Sequence, residues 1–273
     1  MNSKKRSAYK WNHFIPQFLI KRWAENDKFF LARRKDCSIK QLPSKNANSV
    51  FAESELYWTK SIYPKNPSYF EPNFFTQIDT EFSKIIKRID AHQIGKIDFL
   101  SNEELKFVID YSLMMFFRTP KQIETLSSKL EGDFFPDAKD FLIEGLSKTF
   151  DAKNLFSSFL LNKDFYILKS RHDFILSEFL VFWPGVNLPC EPALIFPISY
   201  STAFVYGLPV RHSNGTYLSN DDVIFYNNTV NDLTSIAITR EKSQAERVVA
   251  QWQRIKQLES KGYEKTEFGY AMP

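Results

Sequence analysis

The sequence predicts an α+β fold: a predominantly helical single domain with a buried central helix, an N-terminal hairpin and a small C-terminal sheet. Three observations carry that prediction. Between Pro72 and Arg118 the apolar residues recur at helical spacing. After Asn162 they gather into short β-branched and aromatic runs broken by Pro and Gly. The composition holds 27 Phe and 12 Tyr against only 8 Gly, which favours helices with bulky cores over turn-dense sandwiches. With 273 residues, 43% of them apolar and 25% charged, the chain is long enough for a sizeable core and is not of disordered composition. The expected organisation is a basic tail over residues 1–10, one globular domain over 11–262 and a C-terminal tail over 263–273.

Taken in order, "WNHFIPQFLIKRW" (11–23) is a short, strongly apolar helix candidate with His13 at its head. "KFFLARRK" and "CSIKQL" are two short strands turning around Lys35 and Asp36, which makes a hairpin. "SKNANSVFAESELYW" is a polar connection or short helix ending in aromatics. Pro72 suits the first turn of a long helix, where a missing N–H costs nothing. Phe74, Phe75, Ile78, Phe82, Ile85, Ile86 and Ile89 then form one stripe at three- and four-residue steps. Ser101 and Glu104 have capping-box spacing, and Pro120 marks an end near Arg118. Between them the apolar residues from Leu105 to Phe117 surround the whole axis, as in a helix buried on all sides. Shorter helices follow over 121–162, broken near Pro136. "DFYILKS", "HDFILSEFLVFW", "ALIFPIS" and "TAFVYGLPV" form the small sheet, and "RHSNGTYLSNDD" is a turn or surface loop. Helix returns after a second capping-box pair, Ser243 and Glu246, with Ala245, Val248, Val249, Trp252 and Ile255 on one face.

Charge is uneven. Residues 1–45 carry eight Lys and four Arg against Glu25, Asp27 and Asp36, a local +9 that leaves −5 for the remainder of a chain of formal charge +4. Such an end can meet the phosphates of nucleic acid, or it can be a solvated tail and hairpin. Cys37 and Cys190 lie far apart with no CxxC, which argues against a disulfide framework and a thiolate zinc site. No apolar run approaches the roughly 18 residues of a membrane span, and no signal-peptide core follows the first charges. No membrane partner and a cytoplasmic location are therefore expected, and the Asn-x-Thr triplets at Asn214 and Asn227 are chance matches.

Phosphate-loop, dinucleotide, zinc-protease and hydrolase-elbow motifs are missing from the sequence. His13, His92, His172 and His212 have no metal-ligand spacing, so no metal site and no particular cofactor is implied. His13 has two readings: a residue that hydrogen-bonds a helix start, or a general base titrating near neutrality. Gln17 can orient His13 or a ligand, or can be an ordinary solvated residue. Asp79 lies beside Phe75, Phe82 and Ile86 on the helical wheel, where desolvation raises a carboxyl pKa unless a cation pairs with it. Arg118 is the candidate cation, in a structural ion pair or in a catalytic one.

"NHFIPQFLIKRWA" resembles the opening of a bacterial family known as domain of unknown function 4238. Its members begin His-x-x-Pro-Gln-x-x-Leu followed by a basic residue and an aromatic. The match falls on His13, Pro16, Gln17, Leu19 or Ile20, Arg22 and Trp23. Later landmarks agree in order: "NANSVFAESELYW", "QIDTEFSKIIKRI", "FFRTP", "PALIFPIS" and "NNTVNDL" leading to "AERVVA". The similarity spans almost the whole chain as one domain. It implies anti-phage defence, since members of the family occur as single-gene antiviral proteins, and it brings no mechanism. The family's Ser-Asp-Asn-Pro motif has its nearest counterpart in Pro189, Cys190, Glu191 and Pro192, so Glu191 stands nearest the position of an acid. Two function classes follow. One is an effector or enzyme acting on nucleic acid, with His13, Asp79, Arg118 and Glu191 as catalytic candidates and Gln17, Lys21 and Arg22 as binding candidates. The other is a non-catalytic binding or sensor module whose polar residues stabilise the fold.

Overall fold

A computed structural model describes residues 10–92, 95–96, 99–130, 137–151, 165–181, 194–206, 217–266 and 269–271. The fold is mixed α+β, with its helices set among several small antiparallel sheets. The opening stretch departs from the expected helix. Trp11–His13 is a strand, β1, and only Gln17–Ile20 forms an α-turn, α1, continued by a 3₁₀ turn over Lys21–Trp23. Pro16 ends the extended segment at ψ 140°, and its carbonyl accepts from the N–H groups of Leu19 and Ile20.

The hairpin forms as expected from Lys28–Arg33 (β2) and Ser38–Pro43 (β3), in register from Lys28 opposite Pro43 to Arg33 opposite Ser38. Its turn carries Cys37 at φ 52°. Ser44–Ser49 is a 3₁₀ segment, and Ala52–Ser54 (β4) pairs with β1, placing His13 opposite Ala52. Before β4, buried Phe51 sits at φ 52°, a conformation rare for a bulky side chain. Its carbonyl accepts from Phe14 N and its ring meets that of Phe14 edge-on at 5.7 Å, contacts that hold it there.

The long helix opens with a π-turn over Glu71–Phe75, Pro72 lying in its first turn, and runs on as Thr76–Ala91 (α2). Its stripe of Ile78, Phe82, Ile85, Ile86 and Ile89 is buried. Gly95–Lys96 (β5) leads towards Asn102–Phe117 (α3). There the Ser101 hydroxyl accepts from Glu104 N while the Glu104 carboxylate accepts from Ser101 N, the full capping box. From Val108 to Met115 every residue of α3 is buried except Asp110. Pro120–Leu130 (α4) and Ala138–Asp151 (α5) follow; Pro136, the expected break between them, lies outside the described residues.

The later strands divide between two sheets instead of forming one. Phe165–Lys169 (β6), Leu194–Ser199 (β8) and Thr202–Tyr206 (β9) join β5 in the order β5-β6-β9-β8. β8 is an edge strand, which is why Pro197 fits, with an irregularity between Pro197 and Ser199. Leu176–Ser177 (β7) instead pairs with Ile236–Thr239 (β10), which pairs with β2 to give the order β3-β2-β10-β7. Asn220–Leu233 forms a helix, α6, started by Ser219, whose hydroxyl accepts from Asp222 N. The last helix, Lys242–Ser260 (α7), begins at Glu241, so Ser243 lies inside it and does not cap it. Glu264–Thr266 (β11) and Gly269–Ala271 (β12) pair at the end of the chain.

One hydrophobic core runs through these elements. Phe82 of α2 stacks on Tyr111 of α3 at 3.9 Å and on Phe196 of β8 at 5.6 Å, so helices and sheet share one aromatic column. Trp23 is fully buried and donates Nε1–H to the Phe174 carbonyl at 2.8 Å.

Candidate functional site

α2 and α3 carry Asp79 and Arg118 to one place, and β1 brings His13 to the same place. Arg118 is 0% exposed and each of its N–H groups is engaged. Nε donates to the Tyr57 hydroxyl at 3.1 Å. Nη1 donates to Asp79 Oδ1 at 2.8 Å and approaches Met115 Sδ at 3.8 Å. Nη2 donates to the His13 backbone carbonyl at 2.7 Å and to Asp79 Oδ2 at 3.3 Å. The guanidinium lies 4.9 Å from the Phe75 ring centre, a cation–π contact in a dry setting. Asp79 Oδ1 also accepts from the Tyr111 hydroxyl at 2.7 Å, and the Tyr57 hydroxyl donates to the Arg118 carbonyl at 3.0 Å.

The electrostatics follow from this packing. Burial alone would make the Arg118 cation harder to keep, but Asp79 and the two tyrosine oxygens outweigh it and hold the guanidinium protonated. Burial drives the Tyr57 and Tyr111 hydroxyls upwards, so both stay protonated donors. His13 contributes its main chain to the cluster. Its ring turns to the Asn48 carbonyl, Nε2 lying 3.0 Å away. Burial, assisted by the Arg118 charge, lowers its pKa against that hydrogen bond, so the ring is neutral at pH 7 and donates from Nε2.

Glu71 escaped the sequence reading. In the π-turn before α2, burial pushes its carboxyl up to about 7 against the nearby Arg118 charge. Its Oε2 is buried without a hydrogen-bond partner. An acid beside Pro72 reads from sequence as an ordinary first-turn residue, whereas in the π-turn its carboxyl is buried near Arg118. Asn12 and Tyr57 belong to the same group, Asn12 Oδ1 accepting from Tyr57 N at 3.2 Å. No periodicity marks either residue.

The other candidates lie elsewhere. Glu191 falls outside the described residues. Arg22 grips Asp90 with both Nη groups at 2.7 Å and donates Nε–H to the Ile198 carbonyl, tying the 3₁₀ turn to α2 and β8. Lys21 is exposed, and Gln17 is half-buried with no hydrogen bond to His13. Among the described residues no group of three or more His, Cys, Asp or Glu could hold a metal ion, and no helix is long and apolar enough to cross a membrane.

Two cavities lie apart from the cluster. One, about 820 Å³, runs beside the hairpin. The basic character of that end is balanced here: Arg33, Arg34, Lys35 and Lys121 face Asp36, Glu53, Glu124 and Glu178. The other, about 380 Å³, lies between α6 and α7.

The fold and site thus define an α+β protein built around a buried, saturated Arg–Asp lock, with two cavities away from it. The chain belongs to the family described as protein of unknown function (DUF4238), matched over residues 12–233. No curated protein and no solved structure matches it.

Proposed function

We propose that the protein is a bacterial cytoplasmic phage-defence protein acting as a ligand-binding module, its His13, Asp79 and Arg118 cluster holding the fold. The saturation of Arg118 carries this reading. A guanidinium has five N–H donors, and here the Tyr57 hydroxyl, the two Asp79 oxygens, the His13 carbonyl and the Met115 sulfur occupy them. None is left for a substrate. Neither cavity is lined by His13, Asp79 or Arg118. The defence role rests on the family resemblance.

A second reading, an effector acting on nucleic acid, is favoured by Glu71. A carboxyl held near neutrality with a free oxygen is suited to general acid–base work. Phage challenge of a bacterial host expressing Glu71→Gln or His13→Ala separates the two. Glutamine keeps the shape and hydrogen bonding of the protonated acid, and alanine at position 13 keeps the carbonyl that Arg118 uses. Both variants are expected to restrict plaques as the wild type does. Lost protection in either, with an unchanged melting temperature, overturns the binding reading in favour of catalysis.

A further inference from the structure

The cavity between α6 and α7 has a volume of about 380 Å³, within the range of small-molecule sites. Ile175 and Val248 are the buried apolar residues of its lining, and five amides, Asn227, Asn228, Asn231, Gln244 and Gln251, share it with charged residues and His172. Several of those amides are accounted for by the protein itself. Asn227 Oδ1 accepts from Ile175 N at 2.9 Å, and Asn231 Nδ2 donates to Gln251 Oε1 at 2.7 Å. Two amide oxygens are not: Asn231 Oδ1 and Gln244 Oε1 are buried with no donor. Asn231 is 1% exposed. A buried acceptor without a donor is a rare and costly arrangement in a folded protein, and each of these calls for a hydrogen-bond donor, which an N–H of a ligand can supply.

The rim has the opposite character. Arg171 and Arg247 are exposed and have no carboxylate partner among the described residues. The two acids in the lining are already held, Arg240 donating to Asp173 at 2.7 Å and to Glu241 at 2.9 Å. Deep acceptors and rim cations together select a molecule with N–H donors at one end and negative charge at the other. An ammonium or guanidinium ligand would satisfy the acceptors but meet the arginines. Ile224, 46% exposed, adds an apolar edge on which a flat ring can lie.

We infer that this cavity binds a nucleoside monophosphate whose base carries an exocyclic amine, the base directed to Asn231 and Gln244 and the phosphate to Arg171 and Arg247. The volume suits a single nucleotide and not a strand. The inference rests on the binding-module reading, for which it supplies the ligand class.

Isothermal titration of the full chain with AMP, IMP, adenosine, inorganic phosphate and a short deoxyadenosine oligonucleotide tests it. AMP is expected to bind, with adenosine and phosphate each weaker by about tenfold or more, the loss of one charge-assisted or one set of base contacts. IMP, lacking the amine, binds more weakly than AMP in the wild type, and the difference narrows in Gln244→Met, where Asn231 is the remaining acceptor. Arg247→Ala alters only an exposed side chain and weakens AMP about tenfold while leaving adenosine unchanged. Absence of AMP binding at millimolar concentration, phosphate binding as tightly as AMP, or the oligonucleotide binding more tightly than AMP each overturns the inference. The two readings fail separately. Lost protection in Glu71→Gln with AMP binding intact overturns the module reading alone; absent AMP binding with protection intact overturns the ligand class alone.

Discussion

At the scale of single residues, the chemistry of this protein is concentrated around Arg118. Replacing it with Met leaves the Asp79 carboxylate with Tyr111 as its hydrogen-bond donor in a largely dry setting. Uncompensated buried charge costs about 3–5 kcal/mol, so urea denaturation is expected to show the midpoint of Arg118→Met fall steeply or folding fail. Tyr111→Phe removes one hydrogen bond to the charged Asp79 group and is expected to cost about 1.5–3 kcal/mol in the same experiment. Glu71 gives a pH signature. Its folded-state pKa is raised, to about 7, so the stability it contributes is present below the unfolded carboxyl value of roughly 4.3 and is lost as pH rises through about 7. The melting temperature of the wild type is expected to fall between pH 5 and 8 relative to Glu71→Gln; parallel curves would show that Glu71 is not buried as an acid. His13 has the reverse sign. A lowered folded pKa means its contribution is present above roughly 6.5 and is lost on acidification, so His13→Ala is expected to remove part of any decline below that pH. The pairing of Asp79 with Arg118 was legible because one sits on an apolar helix face and the other ends a buried helix. The role of His13 was not, since its carbonyl makes the contact with Arg118 and side-chain patterns do not encode main-chain acceptors.

At the scale of elements, local chemistry and tertiary packing divide the sequence between them. The helix α3 starts where its capping box says it starts, because Ser101 and Glu104 satisfy each other's backbone donors without outside help. Ser101→Ala is expected to cost about 1 kcal/mol in thermal or urea unfolding. The same logic was present but unread at Ser219, where Ser-Asn-Asp-Asp caps α6 in a stretch whose polarity reads as loop. It misled at Ser243, since the helix had already begun at Glu241 and buried Ala245 and Val248 set its phase. The opening segment failed for a related reason. Its apolar residues are dense enough for a helix, yet pairing with β4 makes 11–13 extended and Pro16 keeps the residue before it out of a helix, so that only a single α-turn and a 3₁₀ turn follow.

At the scale of the whole molecule, β10 is the connection that matters most. Residues 236–239 lie between the N-terminal hairpin and β7, pairing Ala237 with Ala32 on one side and with Ser177 on the other. Strand β2 therefore has its second partner more than 200 residues away. A chain ending before residue 234 would leave Leu31 and Ala32 on an open edge and remove Trp252 from the core. Such a truncation is expected to lose its cooperative thermal transition by circular dichroism while the full chain is expected to keep one; a sharp transition in the truncated chain would show that the first part folds alone. The sequence by itself determined the mixed class, the hairpin, the long helices and the family, because these depend on period, turn chemistry and short-range caps. Only the tertiary structure decided that the later strands split between two sheets, that Glu71 joins Asp79 and Arg118, and that the arginine has no donor left to offer. Those outcomes depend on which distant backbone groups fill a given hydrogen-bonding position, and no local pattern specifies them.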